Sequence, residues 1–403
     1  MAGKADERAS FVSLQEIALI AGIAPATTGK QSPSPRNFWQ ASYFAPLDGL
    51  RALSVLLVIG GHARTVAPLK RYFSGGLGVG VFFVLSGFLI TTLLLREELA
   101  RGSISFGGFY IRRFFRIFPP YFLTVGVYLL IGLIPSQHEL RTKVFNGLPY
   151  FLSLRNEYIP KGLEVAFTHS WSLSVEEKFY FFWPVLFFLV LRKLKARWAV
   201  APITLIPLLI STSATLPVAY FSLLSGACGA IALHALRARQ GEVLNWVNRV
   251  PLTPAIIIWL ASYVLSLDGT FRISFVILTT AMIPLLLLRK TWLSRLIGSN
   301  ICMWVGKRTY SMYLFHALIL TAVEEHVLRP TTTIRYLAVV GLVYFLALVV
   351  ASISYVVLER PCMSWGRELS KRYAGIPVRN HIESAPGDAA HAALYELPRF
   401  LNH

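Results

Sequence analysis

The stretch LDGLRALSVLLVIGGHA, Leu47 to Ala63, is an apolar run with Asp48 and Arg51 near its start and His62 near its end. It predicts a membrane-crossing helix. At 100° and about 1.5 Å per residue, the eleven steps from Arg51 to His62 put both side chains on one stripe, roughly 16 Å apart along the axis. Asp48, Val55 and Val58 share that stripe. The helix therefore turns a polar end, an apolar middle and an imidazole toward whatever packs against it. An ionisable group at depth usually costs a few kcal/mol to insert, so it tends to face protein or water. His62 is either an interfacial residue held by a hydrogen bond or a working group.

The 403 residues are 55% hydrophobic and only 15% charged. With a positive mean hydropathy, that composition belongs to an all-α polytopic membrane protein lying in a lipid bilayer, not to a soluble domain. A net charge of +19 would suggest nucleic acid in a soluble chain. Here most Lys and Arg fall in short connections between apolar runs, where they set topology, so no nucleic-acid partner is expected. Cys228, Cys302 and Cys362 have neither disulfide-framework nor metal-ligand spacing, and the nine histidines form no HExxH-type cluster; no disulfide and no metal are expected.

Residues 1–46 are charged and rich in Pro, Ser and Thr, and their apolar patch from Phe11 to Ala24 is interrupted by Gln15 and Glu16. This arm is too broken to span a bilayer and lacks the order of a cleavable signal. Ten apolar segments follow, near 47–64, 76–95, 117–135, 172–191, 199–216, 218–236, 252–268, 270–288, 308–327 and 335–358. Each approaches the twenty or so residues that a spanning helix needs. The membrane domain accordingly runs over 47–361, with a tail over 362–403. On alternating sides of these segments fall 28 and 10 of the 39 Lys and Arg, and Lys178 lies within a helix. Positive residues mark the cytoplasmic side, which places both termini inside and the 135–170 connection outside. His62, about 22 Å up a helix that starts inside, lies toward the outer leaflet.

Four further constellations carry polar chemistry. The second segment opens with Gly75, Gly76, Gly78 and Gly80 and holds Ser86 and Gly87 at its middle, where small residues allow close approach by a helix or a thin substrate. Next, FYIRRFFRIFPPY places Arg112, Arg113 and Arg116 among aromatics on the cytoplasmic side. Arg113 and Arg116 neighbour each other on a helix surface, suited either to donor phosphates or to anionic lipid headgroups. In HSWSLSVEEKFYFFWP, His169, Ser172, Glu176 and Tyr180 fall on one helical stripe. Adjacent Glu176 and Glu177 inside an apolar helix are an improbable structural choice, unless Lys178 neutralises them. Glu176 lies roughly 10 Å below His169, about the depth inferred for His62. Finally, YSMYLFHALIL spaces Tyr310, Tyr313 and His316 by three residues; His316 is either a bonded core histidine or part of the same site.

The order of LDGLRA with His62, GVGVFFVLSGFLIT, RRFFRIFPPY, HSWSLSVEEKFYFFWP, YSMYLFH and LERP at Leu358 to Pro361 resembles bacterial acyltransferase family 3. These are integral-membrane O-acyltransferases of surface and secreted glycans. The resemblance spans 47 to about 361. It implies transfer of an acyl group, usually acetyl, from cytoplasmic acyl-coenzyme A to a sugar hydroxyl outside, in the bacterial cytoplasmic membrane. The acceptor would be a polysaccharide, lipopolysaccharide or other glycan, and acyl-coenzyme A a co-substrate, with no bound cofactor. Arg51 and His62 match the family's Arg and His on the first helix, Arg113 and Arg116 its RxxR, and Ser174, Glu176 and Glu177 its SxEE. Gly61 and Lys178 depart from the commonest pattern, and both bear on the acceptor pocket. Some family members carry an esterase-like domain after the last helix; about 43 residues follow Arg360, so the membrane enzyme alone is expected.

The chemistry can also be argued separately. A sugar hydroxyl needs a general base within hydrogen-bond reach to attack a thioester efficiently, and a free imidazole titrates near neutral pH. His62 is the candidate base, with Glu176 or Glu177 orienting it and Arg51 at the cytoplasmic mouth. Arg113, Arg116 and Asp48 belong to donor binding, and His169, Tyr180, His316 and Ser86 to a substrate pocket. Whether the acyl group first rests on His62 stays open. The rival class is a proton-coupled secondary transporter, although no internal repeat between the halves is evident. A sensor that keeps the fold without turnover is the third reading.

Overall fold

The computed structural model describes residues 43–65, 67–191 and 215–373. Most of the expected N-terminal arm, nearly all of the fifth apolar segment (199–216) and the tail beyond 373 lie outside the described residues. Within them the chain is helical, with no strand.

The helices are α1 (Ala45–His62), α2 (Gly75–Arg101), α3 (Phe106–Gly132), α4 (His138–Ser153), α5 (Trp171–Leu186), α6 (Thr215–Ala235) and α7 (Gln240–Arg249). They continue with α8 (Leu252–Leu265), α9 (Arg272–Leu288), α10 (Trp292–Ile297), α11 (Asn300–Gly306), α12 (Thr309–His326), α13 (Thr333–Ser354) and α14 (Arg360–Tyr373). Four helical runs are long and apolar enough to cross a membrane: Pro68–Arg101, Phe106–Gly132, Leu216–Arg249 and Thr333–Tyr373. The shorter α8 and α9 are also apolar. This is an all-α membrane protein.

Local signals account for the boundaries. The Ser74 hydroxyl caps α2 by accepting from the Leu77 N–H at 3.3 Å, and Gly102, with φ of 68°, ends it in the left-handed region that glycine tolerates. Ser105 caps α3 through the Gly108 N–H at 3.3 Å. The RRFFR motif thus lies inside α3, not in the connection before it. Its Pro119 and Pro120 remain within the helix, each removing one backbone donor.

Helix α2 is central because two glycines bring backbones together. A methyl group on Gly87 would lie 1.8 Å from the Leu223 carbonyl oxygen, and one on Gly226 would lie 2.0 Å from that of Val84. At that separation α2 and α6 touch backbone to backbone. The side of α2 that meets α5 is polar: Trp183 Nε1 donates to Thr91 Oγ1 at 2.9 Å. Around the start of α1, α10 and α11 close in, since the carbonyl of Ile297 abuts Gly49 and that of Asp48 abuts Gly306. At the other end, Glu324 of α12 accepts from the Arg64 N–H at 2.7 Å and pairs with its guanidinium.

Two amphipathic helices stand where connections or tail were expected. In α4, Val144, Gly147 and Phe151 are buried at the i, i+3, i+7 spacing of one helical face. In α14, Cys362, Gly366 and Ser370 turn inward, with Gly366 against Phe115 of α3. Helix α5 begins after a 3-10 turn at Thr168–Ser170.

Candidate active site

A cleft runs between α1, α2, α3, α5, α11 and α12. At one end it is basic, lined by Arg51, Arg113, Arg116 and Lys307; further in it is lined by Ser86, Glu176, Glu177 and Tyr180, and at its far wall by Ser172 and Tyr313. Of the three arginines in RRFFR, Arg112 is engaged elsewhere, its Nη2 lying 3.5 Å from Glu97. Arg113 and Arg116 face the cleft, and the Arg113 guanidinium stacks 4.8 Å above the Tyr180 ring. A lipid anchor would point outward instead; a guanidinium fork lining an internal cleft suits a phosphate.

Asp48 does not stand free for donor binding. It accepts from Arg51 Nη1 at 2.9 Å and from the Tyr43 hydroxyl, and so acts on Arg51. Lys307 is the cleft residue that sequence reasoning missed. It was visible in GKR ahead of the ninth apolar segment but counted only as a topological charge. It ends up at the site because α11 closes on α1 through Gly306.

The stripe on α5 forms as its spacing requires. Tyr180 and Ser86 both donate to the Glu176 carboxylate. Ser172 Oγ is 2.6 Å from the Tyr313 hydroxyl, which donates to the His169 carbonyl at 2.7 Å. Ser174 faces away and accepts from the Asn156 N–H. Lys178 does not neutralise Glu176 or Glu177. It pairs with Glu157, whose side chain is fully buried, and donates to the Leu154 carbonyl at 2.7 Å. The two carboxylates in the cleft therefore do not have Lys178 as a counter-ion.

Beyond Tyr313 lie three imidazoles. The ring of His316 is 4.7 Å from that of His169 and 5.0 Å from that of His62, and His62 and His169 are 6.2 Å apart. His316 and His169 are buried, whereas His62 at the end of α1 is exposed. His62 Nδ1 lies 2.8 Å from the Val58 carbonyl and His316 Nδ1 2.5 Å from that of Tyr313. A carbonyl only accepts, so these Nδ1 atoms carry the protons and both Nε2 atoms are proton acceptors. His316 Nε2 is buried, with no hydrogen-bond partner among the described residues.

The expected pairing of His62 with Glu176 is not formed. His169 stands level with His62, so Glu176, seven residues along α5, lies about 10 Å deeper toward the basic end. The turn at Thr168–Ser170 that opens α5 is held against α12, with His169 Nε2 3.3 Å from the Leu314 carbonyl, and this sets His169 rather than Glu176 beside His62. His62 finds imidazole partners in place of a carboxylate. Gly61, one departure from the commonest family pattern, also has a reason: a methyl group there would fall 2.5 Å from the Gly75 nitrogen. Among the described residues, no group of three His, Cys, Asp or Glu is arranged to hold a metal ion.

A family profile described as an acyltransferase domain matches residues 44–356. A Staphylococcus aureus (strain MRSA252) protein named as a putative O-acetyltransferase is 28% identical over 374 residues, covering 83% of this chain and 60% of its own. The peptidoglycan O-acetyltransferase OatA of Listeria monocytogenes is 28% identical over 327 residues, covering 70% and 50%. A Bacillus subtilis protein named YrhL, a putative peptidoglycan O-acetyltransferase, is 26% identical over 370 residues, covering 82% and 56%. The chain thus spans 50–60% of the length of these relatives. No solved structure matches it.

Proposed function

Because this chain belongs to the acyltransferase family, we propose that it is a membrane O-acyltransferase. It moves an acyl group, acetyl first of all, from cytoplasmic acyl-coenzyme A to a hydroxyl of a glycan outside the membrane. The observation that carries this reading is the continuity of one cleft from four cations, Arg51, Arg113, Arg116 and Lys307, to Tyr313, with three imidazoles just beyond it. A donor with several phosphates suits the first end, and a hydroxyl to be deprotonated suits the second.

In this reading the phosphates lie between Arg113, Arg116, Arg51 and Lys307, and the thioester reaches toward Ser172 and Tyr313. Glu176 holds the Tyr180 and Ser86 hydroxyls and shapes the middle of the cleft. The Nε2 atom of His62 accepts the sugar hydroxyl proton as the oxygen attacks the thioester carbonyl. The carbon–sulfur bond breaks, and coenzyme A leaves as the thiol after taking a proton. His316 and His169 surround the imidazole that charges transiently. Ten spans, both termini in the cytoplasm, residence in the bacterial cytoplasmic membrane and the outward position of His62 complete the proposal. The 28 to 10 asymmetry of Lys and Arg supports that orientation.

The test is direct: purified full-length protein in lipid nanodiscs, given acetyl-coenzyme A labelled in the acetyl group and soluble glycan fragments. Label in ester linkage to sugar is the expected result. A protein that carries the glycan or protons across vesicles without consuming the thioester would be a transporter, and the proposal would be abandoned.

A further inference from the structure

A second recess opens at the His62 end of the bundle, apart from the cleft. Thr65, Lys70, Arg71, Phe73 and Ser74 contribute to its wall, and among the described residues no carboxylate does. Its backbone is held on several sides. The Phe73 N–H donates to the Lys70 carbonyl at 2.8 Å. The Tyr263 hydroxyl donates to the Tyr72 carbonyl at 2.6 Å and accepts from the Ser74 N–H at 3.4 Å. Phe73 sits edge-on to Tyr336 at 5.6 Å, and the Tyr336 hydroxyl donates to the Gly60 carbonyl at 3.1 Å. Two consecutive cations therefore stand on a preorganised turn.

Topology gives no reason for cations here, since Lys and Arg are sparse on this side of the membrane. Nor, among the described residues, does an internal salt bridge. Arg71 lies over its neighbour Tyr72, 4.7 Å from the ring centre, and donates to that hydroxyl at 2.5 Å. Asp268, which follows the wall residue Leu267, accepts from the Thr270 N–H at 2.9 Å. The recess also adjoins the imidazole: Ser74 is followed by Gly75, where a methyl group would stand 3.6 Å from His62 Cε1. Consecutive Cα atoms are about 3.8 Å apart, so the recess wall and the ring are separated by little more than one residue.

We propose that Lys70 and Arg71 bind a carboxylate of the glycan acceptor and so set a neighbouring hydroxyl over His62. This inference rests on the acceptor side of the proposed function. Anionic lipid headgroups share the chemistry, but a headgroup would gain nothing from the proximity of His62, whereas an acceptor needs it.

The experiment measures binding without acyl donor, so its outcome is independent of turnover. Full-length protein in neutral-lipid nanodiscs is titrated with oligogalacturonate and with the same oligomer after reduction of its carboxyl groups. Wild type is expected to bind the acidic oligomer about tenfold or more tightly than the reduced one, in line with charge-assisted hydrogen bonds. Lys70→Gln with Arg71→Gln should erase that difference, and Lys70→Arg with Arg71→Lys should keep it. Equal binding of both oligomers by wild type, or an unchanged preference in the Gln variant, overturns the proposal. So does loss of oligogalacturonate binding on moving to phosphatidylglycerol nanodiscs, which would make the recess a headgroup site. Failure of the acyltransferase reading shows differently, as intact thioester in the transfer assay while the binding difference persists.

Discussion

The imidazoles of His62 and His316 lie 5.0 Å apart, edge to face, joining the end of α1 to the middle of α12 at the far end of a cleft whose mouth is lined by arginines and a lysine. That contact separates two jobs that the linear order of motifs leaves mixed. In the proposed function, donor recognition belongs to the basic end and proton transfer to the histidine end.

The separation predicts divergent kinetics for His62 and Glu176. His62→Ala should lower acetyl transfer at least a hundredfold while leaving acetyl-coenzyme A affinity within about twofold, since a general base contributes about 10²- to 10⁴-fold. Glu176→Ala, which frees Tyr180 and Ser86 inside the cleft, should weaken the donor as well. Titration calorimetry beside transfer rates checks this; near-normal turnover per folded molecule in His62→Ala would remove it from the chemistry.

The basic end predicts a contrast within one motif. Arg113→Ala, Arg116→Ala and Lys307→Ala should each weaken acetyl-coenzyme A by about tenfold to a hundredfold, the range for a charge-assisted contact. Arg112→Ala, whose partner is Glu97, should leave donor affinity within about twofold. Equal losses at all four positions would mean that general positive charge, not the cleft, attracts the donor.

Stability is predicted to depend on Lys178 for a reason unrelated to the neighbouring carboxylates. The Glu157 side chain is fully buried and paired with it, so Lys178→Ala strands a charge at a cost of about 3–5 kcal/mol. Replacing both, as Lys178→Met with Glu157→Gln, should recover most of the melting temperature in detergent. A double variant no more stable than the single one would disprove the pairing.

Close packing of α2 on α6 predicts that Gly87→Ala is harmful although alanine favours helix. The added methyl meets the Leu223 carbonyl oxygen at 1.8 Å, backbone that cannot rotate away, and overpacking of this kind costs about 1–3 kcal/mol. Gly80→Ala, with open space around it, should be neutral or slightly stabilising by the same thermal measurement.

Orientation is checked by thiol labelling of intact cells. A cysteine placed at Ser136 should react from outside, and one at Tyr373 only after permeabilisation. The reverse pattern would invert the assignment of donor and acceptor ends.

Much of the site could be read from one dimension because helices repeat. A period of 3.6 residues puts His169, Ser172, Glu176 and Tyr180 on one stripe, and Ser172, Glu176 and Tyr180 do line one cleft. Hydropathy likewise located most of the described helices, as burial of the peptide group in lipid demands internally satisfied backbone. Residues whose role depends on a partner far along the chain were not legible. Lys178 beside two glutamates looked like their counter-ion, yet it turns to Glu157. Lys307 looked like a topological charge until α11 folded against α1.

The sequence by itself determined the helical class and which residues share a helix face, because these follow from local periodicity and composition, and it carried the family in the order of its motifs. Tertiary structure alone decided relative depth and pairing. The bonds of His169 to α12, through the Leu314 carbonyl and the Tyr313 hydroxyl, hold the start of α5 beside His62, which leaves the imidazole among His169 and His316 and puts Glu176 farther along the cleft. Depth depends on how whole elements stack, and no local pattern in the chain encodes it.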